Sequence, residues 1–357
     1  MTQSSPLEKE HRKLGAKLTD FGGWRMPLSY SGIIAEHRAV RERVGLFDVS
    51  HLGKVWIGGP GAVEALDSLL AGKVASLKEG RAGYNLLLNE SGGIVDDLFV
   101  YRYPHGLLVV PNAANTEKVI GILTEALESK GDVRDARLEW AIVALSGPAS
   151  RSLLEGGLAR CRELKLHEFV ELEYGGSRVM VARTGYTGEL TFEFFVPWSD
   201  APRVWSALLE EGEPLGIIPT GLGARDTLRL EMGYPLHGSD ISEETNPLEA
   251  GLGWVINWSK EFRGKRQLER IKAKGLDRAL AGLEGRGGQI PRKGYLIYRE
   301  DELVGQVTSG NFSPVLGKGI ALAYLAPSAA RPGTEVWVDV RGKRLEAEVV
   351  NPPFIRR

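Results

Sequence analysis

The last eighty residues constrain the fold most. From about residue 278 onward helical spacing disappears. Tyr295 to Tyr298, Leu303 to Thr308, Ile320 to Tyr324, Val336 to Val340 and Leu345 to Val350 read as short strands, separated by turns such as REDE, PSAARPG and RGK. Short strands with one apolar face must close on themselves or fold back as two layers, so residues 278–357 are expected to form an all-β barrel or jelly-roll-like module. The stretch before it, 261–277, is a basic connector with a helical segment at about Lys265 to Lys274. At 357 residues the chain exceeds the usual single core, so about two or three domains are expected, of α+β class with mixed and antiparallel sheets upstream of the β module.

Upstream of residue 260 helices and strands interleave. Ile33 to Val44 has apolar residues at helical spacing and meets Gly45, a natural stop. Lys54 to Ile57 reads as a strand, GGPG at 58–61 as a turn, and 62–71 as a helix. Tyr84 to Leu88 and Ile94 to Tyr101 flank NESGG as a hairpin, and Leu107 to Val110 is a further strand. A helix starting at Asn115 or Thr116 ends near Gly131, and Ala201 to Leu209 is a helix with Asp200 in the capping position.

Composition excludes several classes. The formal net charge of −1 offers no basic field for nucleic acid or an anionic membrane surface. The longest apolar run, Ile320 to Ala326, is far too short to span a bilayer, and the N-terminus has no apolar core of a signal peptide. A single cysteine, Cys161, precludes an intrachain disulfide and suits a reducing compartment, most simply the cytoplasm. The six histidines show no HExxH or close pair, so no metal site is expected. GxxxxGK[ST] and a strand-following GxGxxG are both absent, and the GxG of Gly221-Leu-Gly follows a Pro-Thr turn.

Three stretches carry chemistry. In GGIVDDLFVYRY, residues 92–103, strand alternation groups Asp96 with Ile94, Leu98 and Val100, and Asp97 with Val95, Phe99 and Tyr101. Whichever face is buried takes one carboxylate with it, at a desolvation cost of several kcal/mol. Both acids could be structural, or the inward one could act as an acid/base or ligand anchor. In RTGYTGELTFE, residues 183–193, a two-glycine turn presents Tyr186, and Glu193 follows in a strand between Phe192 and Phe194. Such an acid can face water, or read a flat amino-substituted ring through paired N–H bonds. In GLGARDTLRLE, residues 221–231, Arg225, Asp226, Arg229 and Glu231 can pair along a helix.

Together these segments resemble the aminomethyltransferase family, the tetrahydrofolate-dependent T protein of the glycine cleavage system. The resemblance runs through PLEKEHRKLGAKLTDFGGWRMPL (6–28), EHRAVRERVGLFDVSHLG (36–53), NESGGIVDDLFVYR (89–102), ARTGYTGE (182–189), GLGARDTLRLEMGYPLHGSDI (221–241), NPLEAGLGWVI (246–256) and VTSGNFSPVLGKGIALAY (307–324). It implies a cloverleaf-like arrangement around a central folate channel, with 1–260 as the folate-binding region (its second subdomain at roughly 53–136). The implied reaction moves the methylene of an aminomethyl group on the lipoyl arm of the H protein to tetrahydrofolate, releasing ammonia. The partners implied are the lipoylated H protein and, functionally, the P and L proteins, with tetrahydrofolate as co-substrate and no metal.

The donor carbon is already activated, so the protein must position the folate, manage a proton and favour a cation as ammonia leaves. The resemblance places that role on Asp97, with Asp96 as the fallback. The inward carboxylate of the pair is the one expected to act, its burial offset by the cation. Glu193 falls on the family's pterin-reading acid, Arg225 on its folate-contacting arginine, and Tyr84, Asn112, Tyr186 and Tyr234 on channel positions, with Arg356 a further candidate. The chain departs from the family at Leu52, usually Met, and at Pro111, usually Val, which removes a donor beside Asn112. Rival readings are a folate-dependent demethylase of a small methylated donor, and a folate-binding module without catalysis. The KGCYxGQE signature of the iron–sulfur-assembly relative is absent.

Overall fold

The change of texture near residue 278 is realised as a closed barrel. In the computed structural model, which describes residues 2–128 and 130–357, six antiparallel strands close in the order Ala279–Gly285, Lys318–Leu325, Glu302–Ser313, Leu296–Arg299, Glu335–Val340 and Lys343–Val350. Alternation sends Leu283, Ile297, Val307, Ala323, Val338 and Val349 into its interior. Closure leaves no unpaired edge, which decides between a barrel and a jelly roll. Contacts divide the chain into two compact units, residues 1–85 with 97–225 and residues 86–96 with 226–357. The second therefore holds the barrel, the helix Lys265–Lys274 expected as the connector, and the hairpin tip Leu86–Asp96.

The first unit is built on a six-stranded sheet in the order Phe169–Tyr174, Ser177–Ala182, Thr191–Pro197, Trp140–Ser146, Gly45–Asp48 and Ile218–Thr220. One face of this sheet carries the core, where Phe192, Phe194 and Val196 pack with Val143, Trp205 and Leu208. A five-stranded sheet has the order Arg81–Leu88, Ile94–Tyr103, Gly106–Val110, Val55–Gly58 and Asp132–Asp135, and a three-stranded sheet lies near the N-terminus.

Several local expectations change. Helix Ile33–Glu42 stops early, and Gly45 opens a strand rather than ending the helix. A Cβ at Gly45 would sit 2.5 Å from Thr220 Oγ1 and Val40 Cγ2, so close packing of the strand demands glycine there. Helices Thr116–Ala126 and Ala201–Gly212 form, without side-chain caps. Asp200 instead accepts a hydrogen bond from Ser177 Oγ (2.7 Å) and pairs with Arg203, a tertiary partner outcompeting the local cap. Among the described residues no helix is long and apolar enough to cross a membrane.

Candidate active site

Strand Ile94–Tyr103 carries the adjacent aspartates, and with Val95 and Tyr101 also buried on the other face, the two acids are told apart by their own exposure. Ile94, Asp96, Leu98 and Val100 are all buried, and Asp96 is wholly inaccessible. Asp97 is half-buried on the opposite face with Phe99 and Tyr101. The sequence expectations that the acting carboxylate is the inward one and that it is Asp97 therefore do not fall on one residue. The acid enclosed by the apolar face is Asp96, whereas Asp97 keeps the access that a group touching substrate requires.

The register places a partner for Asp97. Phe99 lies opposite Val110 and Tyr101 opposite Leu108, so continuing the pairing sets Asn112 across from Asp97. Pro111 has no N–H and ends the ladder, and the Asn112 amide takes over. Its Nδ2 donates to the Asp97 carbonyl (3.0 Å) and to Asp97 Oδ1 (2.9 Å). Tyr84 Oη donates to Asp97 Oδ2 at 3.1 Å. Both carboxylate oxygens thus accept hydrogen bonds, which holds the side chain in one orientation. Three residues singled out from the sequence, Tyr84, Asp97 and Asn112, form one cluster.

The same strand face runs on through Phe99, edge-on to Tyr84 at 5.7 Å, to Tyr101. Tyr101 reaches Glu193 on strand Thr191–Pro197, which pairs with Ala144 and Ala182. Phe192 and Phe194 do not flank the Glu193 carboxylate as their sequence positions suggest. The pleat sends them into the opposite core, and the aromatics on the Glu193 face are Phe195 and Tyr101, 5.2 Å apart. Burial and the Glu193 charge hold the Tyr101 phenol far above its ordinary pKa, so it stays a donor.

Nearly every polar group of the 183–191 turn has a structural partner. Arg41 Nη1 donates to Thr187 O and Glu189 Oε1, each at 2.8 Å, in an almost fully buried pair. Ser146 Oγ joins Thr187 and Thr191 hydroxyls at 2.7 Å. This scaffolding presents Tyr186, whose ring lies 4.8 Å from the Arg225 guanidinium. Arg225 makes no side-chain hydrogen bond or ion pair among the described residues. Burial pulls its pKa down, while Glu193 and Tyr186 pull the other way.

Arg225 rides on helix Leu222–Glu231, and the glycines at its start explain the GxG spacing. A Cβ at Gly221 would lie 2.3 Å from Leu28 O, and one at Gly223 would lie 2.7 Å from Ile33 Cδ1. The glycines serve close packing. Buried Glu36 anchors this helix start, accepting from the N–H groups of Tyr30 (2.6 Å), Gly32 (2.9 Å) and Gly221 (2.8 Å). Of the other charges on the helix, Arg229 pairs with Asp226 and Asp240, each at 2.8 Å, and Glu231 accepts from Ser313 Oγ. Tyr234 and Arg356 belong to the second unit, where both are exposed.

Sequence reasoning missed a buried polar turn. Asp48 accepts from Ser5 Oγ and from the Ser50 N–H (2.9 Å), and its Oδ2 lies 2.8 Å from His11 Nε2. Burial alone would raise the Asp48 pKa, but these bonds and the His11 charge hold it below the ordinary carboxylate range. His51 follows, kept neutral by burial and by the nearby Arg225 charge. Lys54 is fully buried, donates to Ser50 O at 2.7 Å, and is pushed down to about 7 by burial. The adjacency of Asp, Ser, His and Lys in DVSHLGK was the available signal. No group of three or more His, Cys, Asp or Glu converges as a metal site among the described residues.

Comparison with known proteins finds relatives that match nearly the whole chain. The GCVT N-terminal domain pattern matches residues 7–260, and the glycine cleavage T-protein C-terminal barrel domain matches 278–355. An aminomethyltransferase of Halothermothrix orenii is 44% identical over 99% of this chain and 100% of its own. That of Rubrobacter xylanophilus is 46% identical over 99% of this chain and 94% of its own. The crystal structure of glycine cleavage system aminomethyltransferase T from Bartonella henselae superposes with a TM-score of 0.92 at 34% identity, covering 99% of this chain and 98% of that one.

Proposed function

The chain belongs to the glycine cleavage T-protein family, and from that premise we propose that it is a tetrahydrofolate-dependent aminomethyltransferase. Its substrates in this reading are tetrahydrofolate and the aminomethyl group carried on a lipoylated H protein. Its products are methylenetetrahydrofolate, ammonia and the reduced lipoyl arm. The P and L proteins complete the functional system. The working partition of the chain is 1–260, the connector 261–277 and the barrel 278–357. Cys161 is buried, and burial pushes its thiol up to about 12, which makes it inert and suits a cytoplasmic protein.

One observation carries this reading: Asp97 and Tyr101 share one strand face, and Tyr101 Oη reaches Glu193 on strand Thr191–Pro197 of the other sheet, so a half-buried carboxylate and a second, more deeply buried one are linked through a single strand. A pteridine ring presents N–H donors and a carbonyl along one edge. Glu193 supplies the acceptor, the unpaired Arg225 guanidinium supplies the donors, and Tyr186 supplies a flat surface, so the residues present fit that ring. Asp97, held by Asn112 and Tyr84, takes the proton-managing role and stabilises positive charge as the C–N bond to ammonia breaks. Asp96 is the fallback. Positioning supplies much of the remaining acceleration.

The test incubates the protein with tetrahydrofolate and aminomethyl-loaded H protein and measures ammonia. Ammonia release dependent on both is the expected result. Its absence, with turnover of a methylated small molecule instead, would replace this reading with a demethylase.

A further inference from the structure

We propose that Thr184 and Tyr101 are positioning residues that make Glu193 selective for a ring edge, through a one-way hydroxyl chain; this rests on the reading of Glu193 as the pteridine-contacting acid. Thr184 Oγ1 donates a hydrogen bond to Glu193 Oε2. Tyr101 Oη lies 3.2 Å from Thr184 Oγ1 and 3.5 Å from Glu193 Oε2. A threonine hydroxyl has one proton, and Glu193 takes it, so the Tyr101 proton goes to the nearer acceptor, Thr184. The chain therefore runs Tyr101 to Thr184 to Glu193, each donor polarising the next.

Three features make this a positioning device. All three groups are more than nine-tenths buried, so no bulk water competes for their bonds. Tyr101 is boxed by Phe169 (5.8 Å), Phe195 (5.2 Å) and Phe99 (6.2 Å), which prevents its hydroxyl from swinging away. Every hydrogen bond to the Glu193 side chain among the described residues falls on Oε2. The chain therefore fixes the carboxylate plane and leaves Oε1 open for a ligand N–H. Tyr101 stands four residues from Asp97 on the same strand face, about 13 Å away at strand rise. One rigid strand thus sets both the reacting carboxylate and, through the hydroxyl chain, the ring-reading one.

The measurement is the dissociation constant of the full-length protein for tetrahydrofolate, and for an analogue carrying a methyl in place of the ring amino group. Their ratio reports edge reading and is insensitive to a uniform loss of folded protein. Thr184→Val should lower that ratio about tenfold, the value of one hydrogen bond to a charged group. Tyr101→Phe should lower it less, about threefold, because it removes only the polarising donor. Thr184→Ser should restore it to within about twofold of wild type, since the hydroxyl returns. Glu193→Gln is the control. If Glu193→Gln collapses the ratio while Thr184→Val leaves it at the wild-type value, the hydroxyl chain has no positioning role and the inference is overturned. If Glu193→Gln itself leaves the ratio unchanged, the assignment of Glu193 as the ring reader fails, and the inference fails with it.

Discussion

Replacing Asp97 with asparagine removes one charge and almost no volume. In the native cluster Oδ1 accepts from Asn112 Nδ2 at 2.9 Å and Oδ2 accepts from Tyr84 Oη at 3.1 Å. An asparagine can keep its oxygen toward Asn112 and turn its amide toward Tyr84, whose hydroxyl then accepts. Both contacts survive as neutral bonds, so the loss of stability should be about 1–2 kcal/mol, a melting shift of a few degrees. Activity should suffer far more. A positioned acid/base contributes about 10²- to 10⁴-fold, which is about 3–5 kcal/mol of barrier at 1.36 kcal/mol per decade. Tetrahydrofolate binding, which the proposed function assigns to the Glu193 end, should stay within about threefold of wild type. Ammonia release in the coupled assay, folate titration and a thermal melt together read these three quantities. Ammonia release within about threefold of wild type would refute the role of Asp97. Loss of activity in Asp96→Asn with Asp97→Asn active would move the role to the buried neighbour.

Tyr84→Phe deletes one donor to Asp97 Oδ2 and should lower kcat about tenfold with a smaller change in KM; steady-state kinetics that leave kcat untouched contradict it. Buried Lys54 titrates at about 7 in the fold against about 10.4 unfolded, so between those values the unfolded chain binds more protons. Wild-type stability should therefore rise with pH across that window relative to Lys54→Met, by at most about 1.4 kcal/mol per pH unit. Urea melts of both proteins at several pH values test the sign, and a constant difference defeats it. Gly93→Ala puts a Cβ 1.8 Å from Glu243 O, closer than any real contact, and should cost about 3 kcal/mol or more. An unchanged melting temperature would show that this loop can yield.

Periodicity alone set much of this protein. Five of the six barrel strands, all but Ala279–Gly285, were legible with the Ile94–Tyr103 hairpin arm and the helix Lys265–Lys274, because a strand repeats every two residues and a helix every 3.6, whatever packs against them. Motif order along the chain also placed Asp97, Glu193, Arg225 and their neighbours among the candidates. What alternation could not decide was which face of a strand turns inward. Asp96 and Asp97 differ by one residue and both faces of the strand bury apolar neighbours, so only the packing around each side chain encloses Asp96 and leaves Asp97 half-buried. The same holds at Glu193, where the pleat separates it from the two phenylalanines beside it in sequence.

Contacts across long separations lay further out of reach. Thr184 and Tyr101 meet Glu193 because two sheets bring together positions up to 92 residues apart, and nothing local to either stretch announces the encounter. Glycines 221 and 223 look like a ligand loop in one dimension and prove to be clearance for Leu28 and Ile33 in three. The sequence by itself determined which elements form and which residue types are available for chemistry, since those depend on near neighbours. Only the tertiary structure decided which carboxylate is enclosed, which is presented, and which hydroxyls orient it, because burial and hydrogen bonding depend on what the rest of the chain brings alongside.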